Sequence, residues 1–214
     1  MKSKPRLLIA SNNKGKLEEL QAILQGLELE LVLPADIGLE LEVEEDGQTY
    51  AENATKKALA FSQASGLTAL ADDSGLEVAA LDNAPGLHSK RYGPPLTLPP
   101  FSSNMVGGGL TDADRRAYLL QQLSSKPRPW KAKFRATVAV ASPGRDIEIV
   151  EGICRGEIIP NERGNGGFGY DPIFLLTDIE KTMAELNMVE KNRLSHRGQA
   201  VRKIIPLLSE LLET

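Results

Sequence analysis

Hydrophobic positions recur along the chain with two different spacings, which together predict an α/β protein. Short apolar runs of strand length occur at residues 7–10 and 29–33, and each is followed by polar or turn-forming residues. Apolar residues with helical spacing follow the first run and recur at 49–65, 112–123 and 201–211. Strand patterns that alternate with helix patterns indicate the α/β class.

The second half of the sequence predicts a strand pair and a long irregular segment. Residues 133–141 have high β-propensity, and a Pro-Gly turn leads into residues 147–155 as the antiparallel partner. Residues 93–110 are rich in Pro, Ser and Gly without periodicity, which is typical of a lid, a binding loop or a disordered insertion. We expect a mobile segment beside a ligand entrance there. Pro206 interrupts the last helical pattern and predicts a kink or a break.

Two adjacent carboxylates, Asp72 and Asp73, lie between apolar runs and shortly before Gly75. This pattern predicts a strand that runs into a tight turn, with the pair at the strand end, where ligand sites of α/β sheets tend to lie. Two ionised carboxylates so close repel each other, and a divalent cation, a raised pKa or exposure to water relieves the repulsion. A solvated turn is the alternative. The acidic run at 40–47 belongs to the same strand–loop–helix–strand unit, so Glu45 is a candidate third carboxylate, although most acidic runs are solvated surface.

A polar turn after the first apolar run is a second candidate site. A strand, a small turn and a helix N-terminus form an anion site, because free backbone N–H groups point outward and the helix dipole is positive there. The alternative is an ordinary capped helix start, since the GxxxxGK[ST] spacing of a phosphate-binding loop is absent. The turn comprises Ser11, Asn12, Asn13, Lys14, Gly15 and Lys16.

Two further stretches carry candidate binding groups. Residues 164–174 literally contain GxGxxG, but we reject a dinucleotide fingerprint because an extended segment, and not a helix, is expected from Tyr170. The glycines would let backbone approach a ligand, while Phe168 offers an aromatic face and Asp171 an acceptor. Residues 195–197 place Ser, His and Arg at a helix start, where donors converge on an anion or a carbonyl, although a capping or buried histidine is commoner.

Composition narrows the functional classes. The 214 residues carry a net charge of -4, which argues against a general nucleic-acid binder, because such proteins neutralise phosphates with basic residues. Cys154 is the only cysteine, so no internal disulfide can form, and one thiol with two histidines cannot build a structural zinc site. No apolar run reaches the length of a signal peptide or a membrane span. We therefore expect a soluble cytoplasmic protein that binds neither nucleic acid nor membrane.

Six motifs, in order along nearly the whole chain, resemble the inosine triphosphatase family, the Ham1-type non-canonical purine nucleoside triphosphate pyrophosphatases. They are SNNKGKLEEL, EDGQTYAENATKKA, LADDSGLEV, PGLHSKRY, GNGGFGYDPIF and EKNRLSHRGQA. The resemblance implies a single domain over residues 1–214 and a homodimer. Each α/β subunit would be two-lobed, with α/β/α layers around a long mixed β-sheet and the active site in the cleft between the lobes. The short acidic stretch that the family usually has after Tyr92 is replaced here by the Pro/Gly-rich insertion, which leaves the lid geometry open.

The resemblance also implies an activity and residue roles. The activity is Mg2+-dependent hydrolysis of ITP, dITP and XTP to the monophosphate and pyrophosphate, which cleanses the nucleotide pool. Asp73 would accept the proton of the attacking water and bind Mg2+ together with Glu45, and Asp72 would support it. Residues 11–16 would hold the triphosphate, with Lys16 as the principal cation, and Ser74 would contact the substrate. The base and sugar would be surrounded by Phe168, Gly169, Tyr170, Asp171, Lys191, His196 and Arg197.

Elementary chemistry is consistent with these roles. A triphosphate must be neutralised by Mg2+ and lysines before water attacks phosphorus, and a carboxylate can take the water's proton without any protein nucleophile. Donors from His196 or Arg197 would suit a 6-keto purine and not adenine, so we expect ITP and XTP to be used far better than ATP. A Maf-type pyrophosphatase for other modified nucleotides and a nucleotide-binding regulator that does not hydrolyse are the alternatives.

Overall fold

The computed structural model describes residues 4–94 and 110–212. The strands in these ranges are β1 (Arg6–Ile9), β2 (Glu30–Val32), β3 (Thr68–Val78), β4 (Trp130–Ala141), β5 (Glu148–Ile158), β6 (Phe174–Leu176) and β7 (Lys181–Thr182). The α-helices are α1 (Lys14–Leu24), α2 (Tyr50–Ser65), α3 (Asp112–Leu123), α4 (Met188–Leu194) and α5 (His196–Leu212). The predicted mobile segment falls largely on residues 95–109, which lie outside the described residues.

The seven strands form one mixed sheet in the order β2-β1-β3-β4-β5-β6-β7. Strand β1 pairs in parallel with β2 and with β3, whereas β6 pairs antiparallel with β5 and with β7. The α/β class and the mixed sheet are therefore confirmed. None of the helices in the described ranges is long and apolar enough to cross a membrane.

The chain divides into two compact units. The first contains the described residues up to Ser74, residues 135–154 and the described residues from 188 onwards. The second contains the described parts of 75–134 and residues 155–187. Each candidate site residue can thus be placed in one unit or the other.

The first unit has helices on both faces of its part of the sheet. Successive residues of a strand face opposite sides, and accordingly Leu7 and Ile9 of β1 pack in one core with residues of α1 and α5. Leu8 and Ala10 pack in a second core with Ala54, Ala58 and Phe61 of α2. Small alanines on the inner stripe of α2 allow the helix to approach the sheet closely. The result is an α/β/α arrangement within this unit.

Helix boundaries agree with the local sequence signals. Helix α2 is capped by the side chain of Thr49, which accepts from the amide of Glu52, and it ends at Gly66 in the left-handed conformation. Helix α5 continues through Pro206, so the break allowed by the sequence does not occur. Val201 and Ile204 before the proline, like Leu208 after it, are buried in the α1-facing core. This packing stabilises both halves of the helix and outweighs the lost backbone bond.

Candidate active site

The two aspartates lie within a strand and not at its end, so the predicted tight turn is wrong. Strand β3 continues through both carboxylates to Val78, and all its residues except Ser74 and Glu77 are buried. Burial on both faces outweighs the turn propensity of the Asp-Asp-Ser-Gly sequence. The registered pairing with β1 nevertheless stops at Leu70, next to Ile9. The aspartates therefore lie just past the carboxyl end of β1, where the polar turn begins.

The polar turn after β1 forms the predicted strand–turn–helix arrangement. Ser11 Oγ accepts from the amide of Asn13 at 3.2 Å, and Asn13 Oδ1 caps α1 by accepting from the amide of Lys16 at 3.1 Å. Lys16 Nζ lies 3.1 Å from Asp72 Oδ2. Asn12 and Lys14 are exposed, and Gly15 is partly buried. The turn thus presents its backbone and one ammonium group beside the aspartate pair.

A buried ionic network surrounds Asp72. Arg197 Nε donates to Asp72 Oδ2 at 3.0 Å, and its Nη1 donates to Glu19 Oε2. Glu19 Oε1 lies 2.6 Å from Nζ of Lys191. Arg197 is 1% exposed and Glu19 2% exposed, so these charges are removed from water. Charges alternate along the series Lys16, Asp72, Arg197, Glu19 and Lys191, which is the condition for burying charged groups without a large penalty.

The network keeps both of its carboxylates ionised. Burial raises the pKa of Asp72, but the cations of Lys16 and Arg197 outweigh it and hold that pKa well below its usual range. Burial likewise opposes ionisation of Glu19, and Arg197 with Lys191 lowers its pKa. A carboxylate held in this way is a poor proton acceptor. Asp72 is thus suited to holding Lys16 and Arg197 in place.

Asp73 has a different environment from its neighbour. Its Oδ1 accepts from the amide of Ser74 at 2.9 Å, and its Oδ2 accepts from Asn53 Nδ2 at 3.0 Å. Burial, the largest influence, raises the pKa of Asp73, although Lys57 acts to lower it. Two adjacent carboxylates whose pKa values are displaced in opposite directions are typical of a divided role, in which one stays charged and the other exchanges a proton.

Lys57 and Asn53 are site residues that the sequence analysis did not single out. Lys57 Nζ lies 2.6 Å from Glu45 Oε1 and donates to the carbonyl of Asp72 at 2.7 Å. Asn53 is buried and, besides donating to Asp73, accepts from the amide of Gly47 at 2.8 Å. One feature of the sequence could have indicated this role. The two residues are four positions apart on α2, so they lie on one face of the helix, beside the alanine stripe that packs on the sheet.

Glu45 pairs with Lys57, which also donates to the carbonyl of Asp72. The negative charge of Glu45 adds to the upward shift of the pKa of Asp73. Within the described ranges, no group of three or more His, Cys, Asp or Glu side chains could hold a metal ion. The two carboxylates predicted to bind Mg2+ are Glu45 and Asp73. Mg2+ is commonly bound by one or two carboxylates, with water and substrate phosphates completing its shell, so this donor set fits the ion.

Three residues predicted to surround the base, Lys191, His196 and Arg197, lie in the first unit. Three nitrogens of Arg197 donate to Asp72, Glu19 and, at 3.0 Å, Ser74 Oγ, so three of its five N–H donors are directed at protein groups. Lys191 is 5% exposed and bound to Glu19. Burial, aided by the Arg197 charge, lowers the pKa of His196 well below its ordinary value. This ring is therefore neutral at pH 7.

The predicted base-contacting loop, residues 168–171, belongs to the second unit. The amide of Phe168 donates to Asp171 Oδ2 at 2.8 Å, so the carboxylate closes the loop on itself. A 3-10 helix of residues 171–173 follows, where the sequence predicted an extended segment. Tyr170 is buried and its hydroxyl donates to the carbonyl of Ser89 at 2.9 Å. Phe168 and Gly169 are left partly exposed and can meet a ligand.

Known proteins resemble this chain over nearly its whole length. The model of the Ham1 family matches residues 7–207. A protein of Desulforamulus reducens named dITP/XTP pyrophosphatase is 42% identical, over 96% of both chains. One of Gloeobacter violaceus with the same name is 45% identical, over 93% of this chain and 92% of the relative. The solved structure of a HAM1 protein from Coxiella burnetii superposes with a TM-score of 0.81 at 37% identity, covering 96% and 99% of the two chains. The chain belongs to the Ham1 family.

Proposed function

We propose that this chain is a Mg2+-dependent nucleoside triphosphate pyrophosphatase that hydrolyses ITP, dITP and XTP to the monophosphate and pyrophosphate. The observation that carries the proposal is the Asp72–Asp73 pair, whose members have opposite pKa shifts beside two lysines. Relatives more than 40% identical that are named dITP/XTP pyrophosphatases support a hydrolase acting on an acid anhydride of non-canonical purine nucleotides.

Asp73 is the proton acceptor in this mechanism. Its raised pKa makes it more basic than an ordinary carboxylate, and its bonds with Asn53 and the amide of Ser74 fix its direction. A water oxygen bonds to the α-phosphorus and passes a proton to Asp73. The bond from that phosphorus to the bridging oxygen breaks, and pyrophosphate leaves with the bonding electrons.

Lys16 and Lys57 neutralise the triphosphate. Both ammonium groups approach the carbonyl of Asp72, at 3.5 Å and 2.7 Å. Burial, opposed by Asp72, lowers the pKa of Lys16, which indicates an ammonium group poorly solvated in the absence of an anionic ligand. Phosphate oxygens would supply the missing stabilisation, and the helix N-terminus formed by residues 13–16 would add to it.

Glu45 and Asp73 would hold the Mg2+ ion. When bound, the ion supplies positive charge that lowers repulsion between the triphosphate and the attacking water. Lys57, now 2.6 Å from Glu45, would then be available to phosphate. Phe168 to Asp171 are assigned to the base and sugar, with Phe168 stacking on the purine. His196 is left as a neutral base contact, while Lys191 and Arg197 support the site through Glu19 and Asp72.

Pyrophosphate release with ITP, XTP and ATP tests this function in wild type and in Asp73→Asn. An amide cannot accept a proton and binds Mg2+ poorly, so turnover should fall about a hundredfold or more. The fold should persist, because the burial of Asp73 already disfavours a charge there. Asp46→Asn, which changes an exposed carboxylate paired with Lys56, is the matched control and should retain turnover.

Near-normal turnover of Asp73→Asn would refute the catalytic assignment. Equal use of ITP and ATP by the wild-type enzyme would refute the base preference. Absence of pyrophosphate release with all three nucleotides would favour the non-hydrolysing regulator, whereas membership of the Ham1 family over residues 7–207 argues against the Maf-type alternative. The homodimer stays a prediction from the family resemblance, and the cytoplasmic location stays a prediction from the composition of the sequence.

A further inference from the structure

In the second unit, the first turn of α3 binds both backbone polar groups of Gly169. The amide of Gly169 donates to Asp112 Oδ2 at 2.7 Å, and its carbonyl accepts from Arg116 Nη1 at 2.9 Å. Residues spaced three or four apart on a helix share a face, so Asp112 and Arg116 reach the same peptide region together. We call these two residues and their bonds to Gly169 the Gly169 clamp.

Both clamp side chains are themselves held in place. Arg116 donates through Nε and Nη2 to the two carboxylate oxygens of Glu162, at 2.7 Å and 3.0 Å, and its side chain is 12% exposed. Asp112 pairs with Arg115, which also donates to the carbonyl of Leu110 at 2.6 Å. Each clamp bond therefore joins a charged group of fixed orientation to the backbone, which makes it stronger and more directional than a neutral bond.

Gly169 needs such external support. Its φ is +62°, in the left-handed region that favours glycine, and among the described residues no heavy atom beyond Gly169 and its two chain neighbours lies within 4 Å of where a Cβ would stand. Side-chain packing therefore cannot fix this residue. On either side, Phe168 is tied to Asp171 and Tyr170 is tied to Ser89. The amide of Asp171 donates to the carbonyl of Phe168 at 3.2 Å and closes a turn over Gly169, and the clamp adds two side-chain bonds to the backbone of Gly169 within that turn.

We propose that Asp112 and Arg116 are positioning residues for nucleobase binding, acting through Gly169 on the orientation of Phe168. The proposal rests on the proposed function, which assigns Phe168 to the base. The bonds of Lys16, Lys57 and Asp73 described above involve neither Asp112 nor Arg116, so we expect loss of the clamp to leave the phosphate-binding groups and the proton acceptor in place. The structure therefore predicts a defect in recognition of the base and not in the chemical step.

Kinetics of Arg116→Ala test this prediction. The KM for ITP should rise about tenfold, as expected for loss of one charge-assisted hydrogen bond that orders the binding loop, with kcat within about twofold of wild type. Inorganic tripolyphosphate, which has no base, should inhibit the variant and the wild type with equal inhibition constants. Binding of inosine monophosphate, measured by calorimetry, should weaken in parallel with the KM.

Two controls separate positioning from a general structural role. Arg163→Ala removes an arginine of the same unit that pairs with Glu185 and donates to the carbonyl of Glu180, without touching Gly169, and it should leave the KM unchanged. Asp112→Asn keeps an oxygen that can accept from the amide of Gly169, whereas Asp112→Ala does not. The asparagine variant should therefore raise the KM less than the alanine variant, which should resemble Arg116→Ala.

An equal rise in KM for Arg163→Ala, a weakened tripolyphosphate inhibition, or a fall in kcat at constant KM would overturn the proposal. So would identical behaviour of the two Asp112 variants. If wild type binds inosine monophosphate but releases no pyrophosphate from ITP, the proposed function fails, and the calorimetric comparison still decides the role of the clamp. If wild type binds no purine nucleotide, both proposals fail.

Discussion

Replacing Glu19 by Gln should destabilise the protein strongly although the side chain keeps its shape. Glu19 lies on α1, buried between Lys191 and Arg197. The substitution removes one buried negative charge and turns an amide toward two cations. Breaking a buried ion pair by removing one partner costs about 3–5 kcal/mol, because the remaining charge is left in a poorly polarisable interior. For a chain of this length that loss corresponds to a fall in Tm of roughly 10 °C.

Urea unfolding at pH 7 measures this free energy, and Glu18→Gln is the matched control. Glu18 is the preceding residue of the same helix and is exposed, so its replacement should change stability by less than about 0.5 kcal/mol. A loss of less than about 1 kcal/mol in Glu19→Gln would refute the reasoning, because it would mean that the network contributes no more than a surface ion pair.

The pH dependence gives a second check with a definite sign. The pKa of Glu19 is lowered in the folded state from its ordinary value of 4.5, since Arg197 and Lys191 outweigh burial. A lowered pKa contributes stability that is present above the unfolded pKa and is lost as the pH falls through the folded pKa. The difference in free energy of unfolding between wild type and Glu19→Gln should therefore be constant from pH 5.5 to 7 and shrink below about pH 4.5. A gap that grows on acidification would contradict this account.

Two further predictions concern Lys57 beside the aspartate pair and the packing of β5 against α5. Lys57→Met should lower kcat/KM for ITP about tenfold or more, because it removes a cation from the phosphate site. Lys56→Met, which changes the exposed neighbouring lysine, should have little effect on kcat/KM. Equal losses of kcat/KM in the two variants, measured by steady-state assays, would contradict the role of Lys57. Gly152→Ala should lower stability by about 1–3 kcal/mol in thermal unfolding, because the new Cβ would press on the carbonyl of His196 and lie 2.6 Å from the amide of Ala200. An unchanged Tm would contradict this prediction, since it would mean that α5 shifts away from the new Cβ without loss of stability.

Features decided by local sequence were predictable. Thr49 and Gly66 stand at the two ends of α2, and α3 spans the expected residues, because caps act within one turn of the helix that they end. The turn predicted at the aspartates was wrong because contacts distant in sequence decide the structure there. Turn propensity is a local preference, whereas β3 is held by neighbours on both sides and by its buried residues.

The candidate site was predictable only in part. Family motifs located Lys16, Asp72 and Asp73, but the bond from Arg197 to Asp72 joins residues 125 positions apart, and hydrophobic periodicity gives no information about such pairing. The sequence analysis did not single out Glu19, because a glutamate in a helix normally faces solvent. Its burial depends on how α1 packs beside α4 and α5, which the sequence of α1 alone does not specify.

The alternating charges around Asp72 also bear on the order in which the protein can mature during synthesis. The anions of this network, Glu19 and Asp72, are translated well before two of its cations, Lys191 and Arg197. Until those cations leave the ribosome, burial of the two carboxylates would lack most of its compensation, so they have to remain hydrated. The strand and helices of the first unit can form early, but their final closure around the aspartate pair has to wait for the last helices.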